Sequence, residues 1–427
     1  MTRFRALSEP GGRGRALLLW AALLAAVFSG RMYTTDVVAQ YQVAGSFLGL
    51  RPFLTAETGW TVEGAGGESY VPHGPGFSLI LVPAAAAGAL VAEGAGKVAA
   101  GGINALLSLV LMACWMELAR RRLGDSCSPL RVVALGLGAM LLVYGRMPYD
   151  VTAAGAAILA GLVLQDRGDD VWAGVLLGAA VLIRLDSAVA LPAFWRGPRR
   201  TARLLPGLAL STLLWGLFNW HRFGSPLRDG HGQDPAASLD PASLGIAGLL
   251  VSPGKGLVFY APVVFLGLAR CRDWRLWTPL AASVVLHGLM HDWTGGTGWG
   301  PRFLVPVLPL ALLPLCRRGA GGAAFWVLCA WGGLMTLAAS WSNPNAIEQS
   351  LGPDAIEEPG RRAVVWTFSR SPWVAALRSI GSGVPDVLGA HAARAAGAPA
   401  AAGAGLQLAA SAALAWAALT GRGRRKA

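Results

Sequence analysis

Long apolar stretches alternate with short polar turns along almost the whole chain, and several reach or approach the roughly 20 residues a helix needs to cross a bilayer. Apolar–polar alternation of the strand kind is absent, so the pattern predicts helices and argues against a β-barrel. In chain order it predicts spans over 16–30, 98–119, 132–144 and 151–164, then a short pair within 172–195 broken near Arg184 and Asp186. Spans over 204–220, 257–269 and 277–290 follow, another begins at Arg302, and two more cover 323–341 and 406–419. The expected fold is an all-α polytopic membrane bundle of about 12 transmembrane helices with both termini cytoplasmic.

The run 77–92 is rich in Ala and Gly and contains Pro83. A full crossing there would invert every later basic cluster, so it reads as re-entrant or interfacial. The first apolar run ends A-V-F-S-G-R without a clean A-x-A site, which predicts an uncleaved anchor. Residues 1–320 are expected to form a catalytic transmembrane module with a first outer loop at 31–76, and 321–427 a set of C-terminal helices with an outer segment. In the outer loop, Val37, Val38, Tyr41, Val43, Ala44, Phe47 and Leu48 recur at helical spacing, predicting an amphipathic helix in the interface plane.

Composition agrees. With 54% hydrophobic and 14% charged residues among 427, and a mean hydropathy of +0.50, the chain has too few charges to cover a soluble globule. The +13 charge invites a nucleic-acid partner, but its distribution excludes one. Basic residues gather between apolar runs, at Arg120–Arg122, Arg196–Arg200, Arg270–Arg275, Arg317–Arg318 and the C-terminal tail, which marks the cytoplasmic side. Cys114, Cys316 and Cys329 fall in apolar runs and Cys127 and Cys271 in basic loops, so no outer disulfide is expected. No spacing indicates a metal site, and nothing requires a nucleotide or other cofactor.

The candidate chemistry lies at the non-cytoplasmic ends of the spans. Asp36 follows the first span by a few residues, where a carboxylate can stay ionised while facing a lipid-borne substrate. The turn Y-G-R-M-P-Y-D brings Arg146 and Asp150 beside it. In S-P-G-K-G-L-V-F-Y, Lys255 is flanked by glycines at a helix start, leading to Tyr260. It reads either as a phosphate cradle or as a tight turn with a snorkelling lysine. In H-D-W-T-G-G-T-G-W-G-P-R, Arg302 reads as a bidentate phosphate clamp or as an interfacial anchor. Trp293 and Trp299 bracket the glycines and are the aromatic residues placed to stack on a sugar, though interface belts explain most outer tryptophans. For Arg184 and Asp186 a structural ion pair and a substrate contact stand equally open.

The T-T-D motif at Asp36, the Y-V-P-H-G-P-G loop with His73, Tyr149–Asp150, and the R-F-G-S-P-L, S-P-G-K-G-L and G-W-G-P-R motifs together resemble bacterial GT-C glycosyltransferases. The likeness is to their protein-mannosyltransferase-like and aminoarabinose-transferase-like branch, and it runs from the first span to the tenth. It implies a multi-pass enzyme of the bacterial cytoplasmic membrane with its active site on the outer face. The donor would be a polyprenyl-phosphate-linked sugar, and the acceptor a hydroxyl or amine of a cell-envelope glycan, lipid or protein. Transfer would invert the anomeric carbon, with Asp36 as general base and Asp150 as a second acidic residue. Lys255, Arg302, Arg146 and His73 would line the substrate site. The family often has an acidic pair after the first span, where this chain has Val37 as second member, and a lysine or tyrosine in the loop that here offers Pro72 and His73. A transporter or flippase, and a non-catalytic relative, are the alternative readings. A transporter would place its ionisable groups near mid-membrane and show internal repeats.

Overall fold

The computed structural model describes residues 12–49, 61–230, 239–240, 244–296, 298–343, 347, 351–352, 360–380 and 385–420. The basic extremities and the acidic stretch at Glu57 lie outside them. The first half of the described chain is mostly helix: α1 (Arg13–Val27), α2 (Thr35–Ser46), α3 (Pro75–Leu90), α4 (Glu93–Leu123), α5 (Pro129–Gly138), α6 (Leu141–Arg146), α7 (Asp150–Arg167) and α8 (Asp170–Ile183). A 3-10 segment, Leu185–Phe194, follows, so the predicted break falls at Arg184. Next come α9 (Pro198–Ala202), α10 (Leu205–Phe223), α11 (Gly245–Val251), α12 (Leu257–Tyr260), α13 (Val263–Arg270), α14 (Trp274–Gly288), α15 (Leu308–Leu312), α16 (Gly322–Trp341), α17 (Gly360–Val365), α18 (Pro372–Ser379), α19 (Leu388–Ala395) and α20 (Ala400–Thr420). One antiparallel pair, β1 (Val62–Glu63) and β2 (Ser69–Tyr70), departs from the all-α expectation, with Val62 opposite Tyr70.

Among the described residues, four helical stretches are long and apolar enough to cross a membrane: Glu93–Ser126, Pro198–Phe223, Gly322–Trp341 and Ala400–Thr420. The predicted span 151–164 lies within the single helix α7, whereas some of the others are broken, and those breaks have local causes. Pro262 separates α12 from α13, and Pro306, Pro309 and Pro314 reduce the stretch after Arg302 to short α and 3-10 turns, because proline removes a donor and clashes with the preceding turn. The predicted span 132–144 divides at Met140, a non-glycine residue with φ of +65°. Its sulfur lies where a side chain on Gly300 would have to go, so this left-handed residue packs against the Gly-rich loop that carries Arg302.

The main apolar cluster reaches from Ala16 on α1 to Ala376 on α18, with a second around Phe77 and Leu81 on α3. Helix α7 packs against α4 and α8, α8 against α10, and α14 against the 3-10 segment. The C-terminal helices join the same body: α16 lies on α5, and α20 runs along α1, with Gln407 Nε2 donating to the carbonyls of Ala25 and Phe28.

Helices α8 and α10 approach through glycine. A β-carbon on Gly207 would fall 2.2 Å from the Val175 nitrogen, and one on Gly174 2.3 Å from the Leu204 oxygen. Both obstacles are backbone, which cannot step aside, so small residues here set the helix spacing. Gly207→Val is expected to cost about 3 kcal/mol, the upper part of the overpacking range. It should lower the melting temperature of the detergent-solubilised protein, whereas Gly14→Ala, at a position with nothing within 4 Å, should leave it unchanged. Equal melting of wild type and Gly207→Val would refute this account of the interface.

Candidate active site

Asp36 sits in the first turn of α2, whose start is capped by the Thr34 hydroxyl accepting from the Val37 N–H. One turn later Gln40 projects from the same face. From the far end of the sequence Arg302 arrives on a 3-10 turn, and its Nη1 lies 2.8 Å from Asp36 Oδ2. The same nitrogen lies 3.4 Å from the Tyr149 hydroxyl. Tyr149 precedes α7, so Asp150 enters the group at the first position of that helix. Asp150 accepts from Gln40 Nε2 at 3.4 Å and from Arg184 Nη1 at 3.0 Å.

Arg184 extends the chain of charges. Its Nε and Nη2 grip Asp186 bidentately at 3.0 and 2.6 Å, and Asp186 accepts from His287 Nε2 at 2.8 Å. The His287 ring stacks on Phe303, the residue after Arg302, with centroids 4.4 Å apart. Two alternations of carboxylate and guanidinium result, Asp36 with Arg302 and Asp150 with Arg184 and Asp186, with Tyr149 and His287 hydrogen-bonded at their edges. Each buried charge has a partner, which is the condition for keeping charges this poorly hydrated.

The glycines of T-G-G-T-G-W-G are the bed for Arg302. A β-carbon on Gly298 would lie 2.6 Å from Arg302 Cδ, and Gly295, Gly296 and Gly300 all have positive φ, so side chains would both block the stem and strain the turns. Lys255 is buried under the same loop, its Nζ donating to the carbonyl of Gly296 at 2.8 Å and to that of Gly298. It braces the loop that aims Arg302. The Y-V-P-H-G-P-G loop has a similar logic. Gly74 and Gly76 press against the backbone of Leu182 and Ile183, just before Arg184, and Arg222 Nη1 donates to the carbonyls of Val71 and His73. This holds His73 near enough to act electrostatically on Asp36.

Burial pushes the Asp36 carboxyl up, but the guanidinium of Arg302, with His73 and Arg184 behind it, outweighs burial and leaves it below the usual carboxylate range. A depressed folded value means that the ionised group stabilises the fold above the unfolded value near 3.9, and that this contribution is lost as pH falls through the folded value. The melting difference between wild type and Asp36→Asn should therefore stay constant from about pH 5 to 8 and shrink in more acidic buffer. A difference that grew on acidification would contradict the pairing.

Several expected contacts lie elsewhere. Arg146 is fully buried and committed to Asp386 at 3.1 Å, the Tyr33 hydroxyl at 3.1 Å and the Ser340 carbonyl. It anchors the C-terminal segment instead of standing beside Asp36, because α6 turns its last residue toward α16. Trp293 is buried against Gly245, Gly248 and Val365, and Trp299 packs edge-on to buried Tyr260, whose hydroxyl donates to the Gly254 carbonyl. Close-packed on these sides, the three aromatic residues shape the loop and present no face for a sugar. Gln40 and His287 join the site without having been singled out in the sequence, and Tyr149, named there only as part of a motif, joins it through its hydroxyl. Gln40 was legible as one turn beyond Asp36, whereas His287 sits in an apolar run with no local signal.

No protein-family profile and no curated protein matches the sequence. Solved structures do. The chain superposes on ArnT from Cupriavidus metallidurans in its apo state with a TM-score of 0.50 and 15% identity, covering 95% of this chain and 76% of that one. For the same protein bound to undecaprenyl phosphate the TM-score is 0.51, with the same identity and coverage. What this chain shares with ArnT, over nearly its whole length, is its fold.

Proposed function

We propose that the protein is an integral-membrane glycosyltransferase that moves a sugar from a polyprenyl-phosphate donor to an acceptor hydroxyl or amine, with inversion at the anomeric carbon. The observation that carries this reading is the Asp36–Arg302 pair at 2.8 Å, with Asp150 and Arg184, themselves paired at 3.0 Å, close enough to act on it electrostatically. A base and a phosphate clamp are the two parts such a transfer needs. The acceptor gives its proton to Asp36 as its oxygen or nitrogen bonds the anomeric carbon. The bond from that carbon to the phosphate oxygen breaks, and the charge left on the polyprenyl phosphate is met by Arg302. Before donor binds, Asp36 is a weak base because Arg302 holds it. A donor phosphate shares that guanidinium, loosens its grip, and brings the carboxylate toward useful basicity. Asp150 and Asp186 hold Arg184 beside the same site.

The basic loops support a non-cytoplasmic active site, since Asp36 and Arg302 occupy the opposite end of α7 from Arg167. The undecaprenyl phosphate bound by ArnT supports a lipid-linked donor here, with an acceptor drawn from cell-envelope glycans, lipids or proteins in a bacterial inner membrane.

The test is release of radiolabelled sugar from synthetic polyprenyl-phosphate donors by the purified protein in lipid nanodiscs, with a panel of acceptors. Acceptor-dependent release is expected. Movement of the lipid across liposomes with no transfer to any acceptor would replace this reading with a transporter.

A further inference from the structure

At the other end of the same helices lies a second charged centre that the transfer reaction does not use. Helix α7 begins at Asp150 in the site above and reaches Asp166 sixteen residues on, about 24 Å along the axis at 1.5 Å per residue. Helices α8 and α14 run the opposite way and return their first turns to that level. There a cavity of about 540 Å³ is lined by Arg121 and Arg122 from the end of α4, Arg196 and Arg200 around α9, and Arg275 on α14, with Asp166 and Asp273.

We propose that this cavity binds a phosphate-bearing anion, and that the occupant is the headgroup of an anionic phospholipid from the cytoplasmic leaflet. Five guanidiniums line it against two carboxylates; Arg121 also pairs with Glu117 at 2.8 Å and Arg200 with Asp170 at 2.7 Å, but those two acids are in turn shared with Arg13, Arg120 and Arg203, so cations outnumber acids around the cavity. The carboxylates are already shared: Asp166 accepts from both Arg122 at 2.9 Å and Arg196 at 3.0 Å, and Arg275 pairs with Asp273 at 2.8 Å. Burial first, and then the neighbouring charges of Arg122 and Arg275, hold Arg196 below the usual guanidinium range. Planar forks converging from separate elements suit the oxygens of a phosphate.

The rim indicates a lipid as the source. Trp195 and Trp274 adjoin Arg196 and Arg275 in sequence and are 44% and 48% exposed, and Trp277, one turn on, is 39% exposed. Half-exposed indoles flanking a basic cavity belong at headgroup depth. Basic pockets between helices on the cytoplasmic side meet the anionic lipids of that leaflet. Only the assignment of leaflet rests on the orientation given above.

Delipidated protein in neutral detergent, titrated with phosphatidylglycerol or phosphatidylcholine and read by native mass spectrometry, tests the proposal without any transfer assay. One phosphatidylglycerol per chain should be retained in preference to phosphatidylcholine. Arg121→Gln and Arg275→Gln, which leave both Asp166 pairs intact, should each weaken retention about fivefold, with Arg317→Gln, outside the cavity lining, unchanged. Thermal melting of each variant separates lost binding from lost folding, and the two variants give independent readings. Millimolar inorganic phosphate should fail to displace the lipid. Displacement by phosphate would move the site to a soluble anion and overturn the lipid assignment. Equal retention of both lipids, or wild-type retention by both folded variants, would overturn the site itself.

Discussion

Asp36→Asn is expected to lower the rate of sugar transfer about 10²–10⁴-fold at saturating donor, the range a positioned general base supplies, while donor affinity is kept. The split follows from the geometry. Asparagine has the shape of aspartate and can still accept a hydrogen bond from Arg302 Nη1, which lies 2.8 Å from the carboxylate, so the clamp stays in place. What disappears is the proton acceptor and the negative charge that competes with the donor for the guanidinium. Donor affinity should therefore be unchanged or rise. Measured turnover and donor binding by the same preparation check both halves. Wild-type turnover in Asp36→Asn would remove the residue from the chemistry.

Arg302→Ala should damage both steps. Losing a donor aimed at developing charge costs about 10²–10³-fold in turnover, and because the same fork would hold the phosphate in the ground state, donor binding should weaken as well. Stability enters separately. Removing one member of a buried ion pair costs about 3–5 kcal/mol, and since the Asp36 side chain is 23% exposed, the loss should fall at or below the low end of that range. Arg302→Lys should recover little, because an ammonium lacks the planar fork that can meet two phosphate oxygens at once. Unchanged donor affinity in a folded Arg302→Ala protein would return Arg302 to a structural role.

What could be read in the sequence divides along physical lines. Uninterrupted apolar runs speak for themselves. The expected spans 98–119, 204–220, 323–341 and 406–419 lie within or along helices long and apolar enough to cross, because length and hydropathy decide them. Where prolines intervene, as after Arg302 and at Pro262, the same hydropathy is built into short turns, and the average over a window hides this. Asp36, Arg302 and Asp150 were legible because charges are scarce at the ends of apolar runs. Their mutual contacts were not, since no local pattern links residues so far apart. Lys255, Trp293, Trp299 and Tyr260 were misassigned for one shared reason: a glycine-rich loop looks open in sequence, yet here it folds down onto them and seals them in. Arg146 was drawn away by Asp386, which had no distinguishing neighbourhood.

That last pairing has a consequence for how the protein is made. Arg146 leaves the ribosome 240 residues before Asp386, a delay of roughly 12–48 s at bacterial rates of synthesis of about 5–20 residues per second. Throughout that interval a guanidinium destined for a fully enclosed position has no counter-ion, so the amino-terminal helices cannot close around it. Closure around Arg146 is thus expected to wait until Asp386 has been made, and a product cut short before residue 386 should leave that guanidinium without its counter-ion however well its earlier helices had inserted.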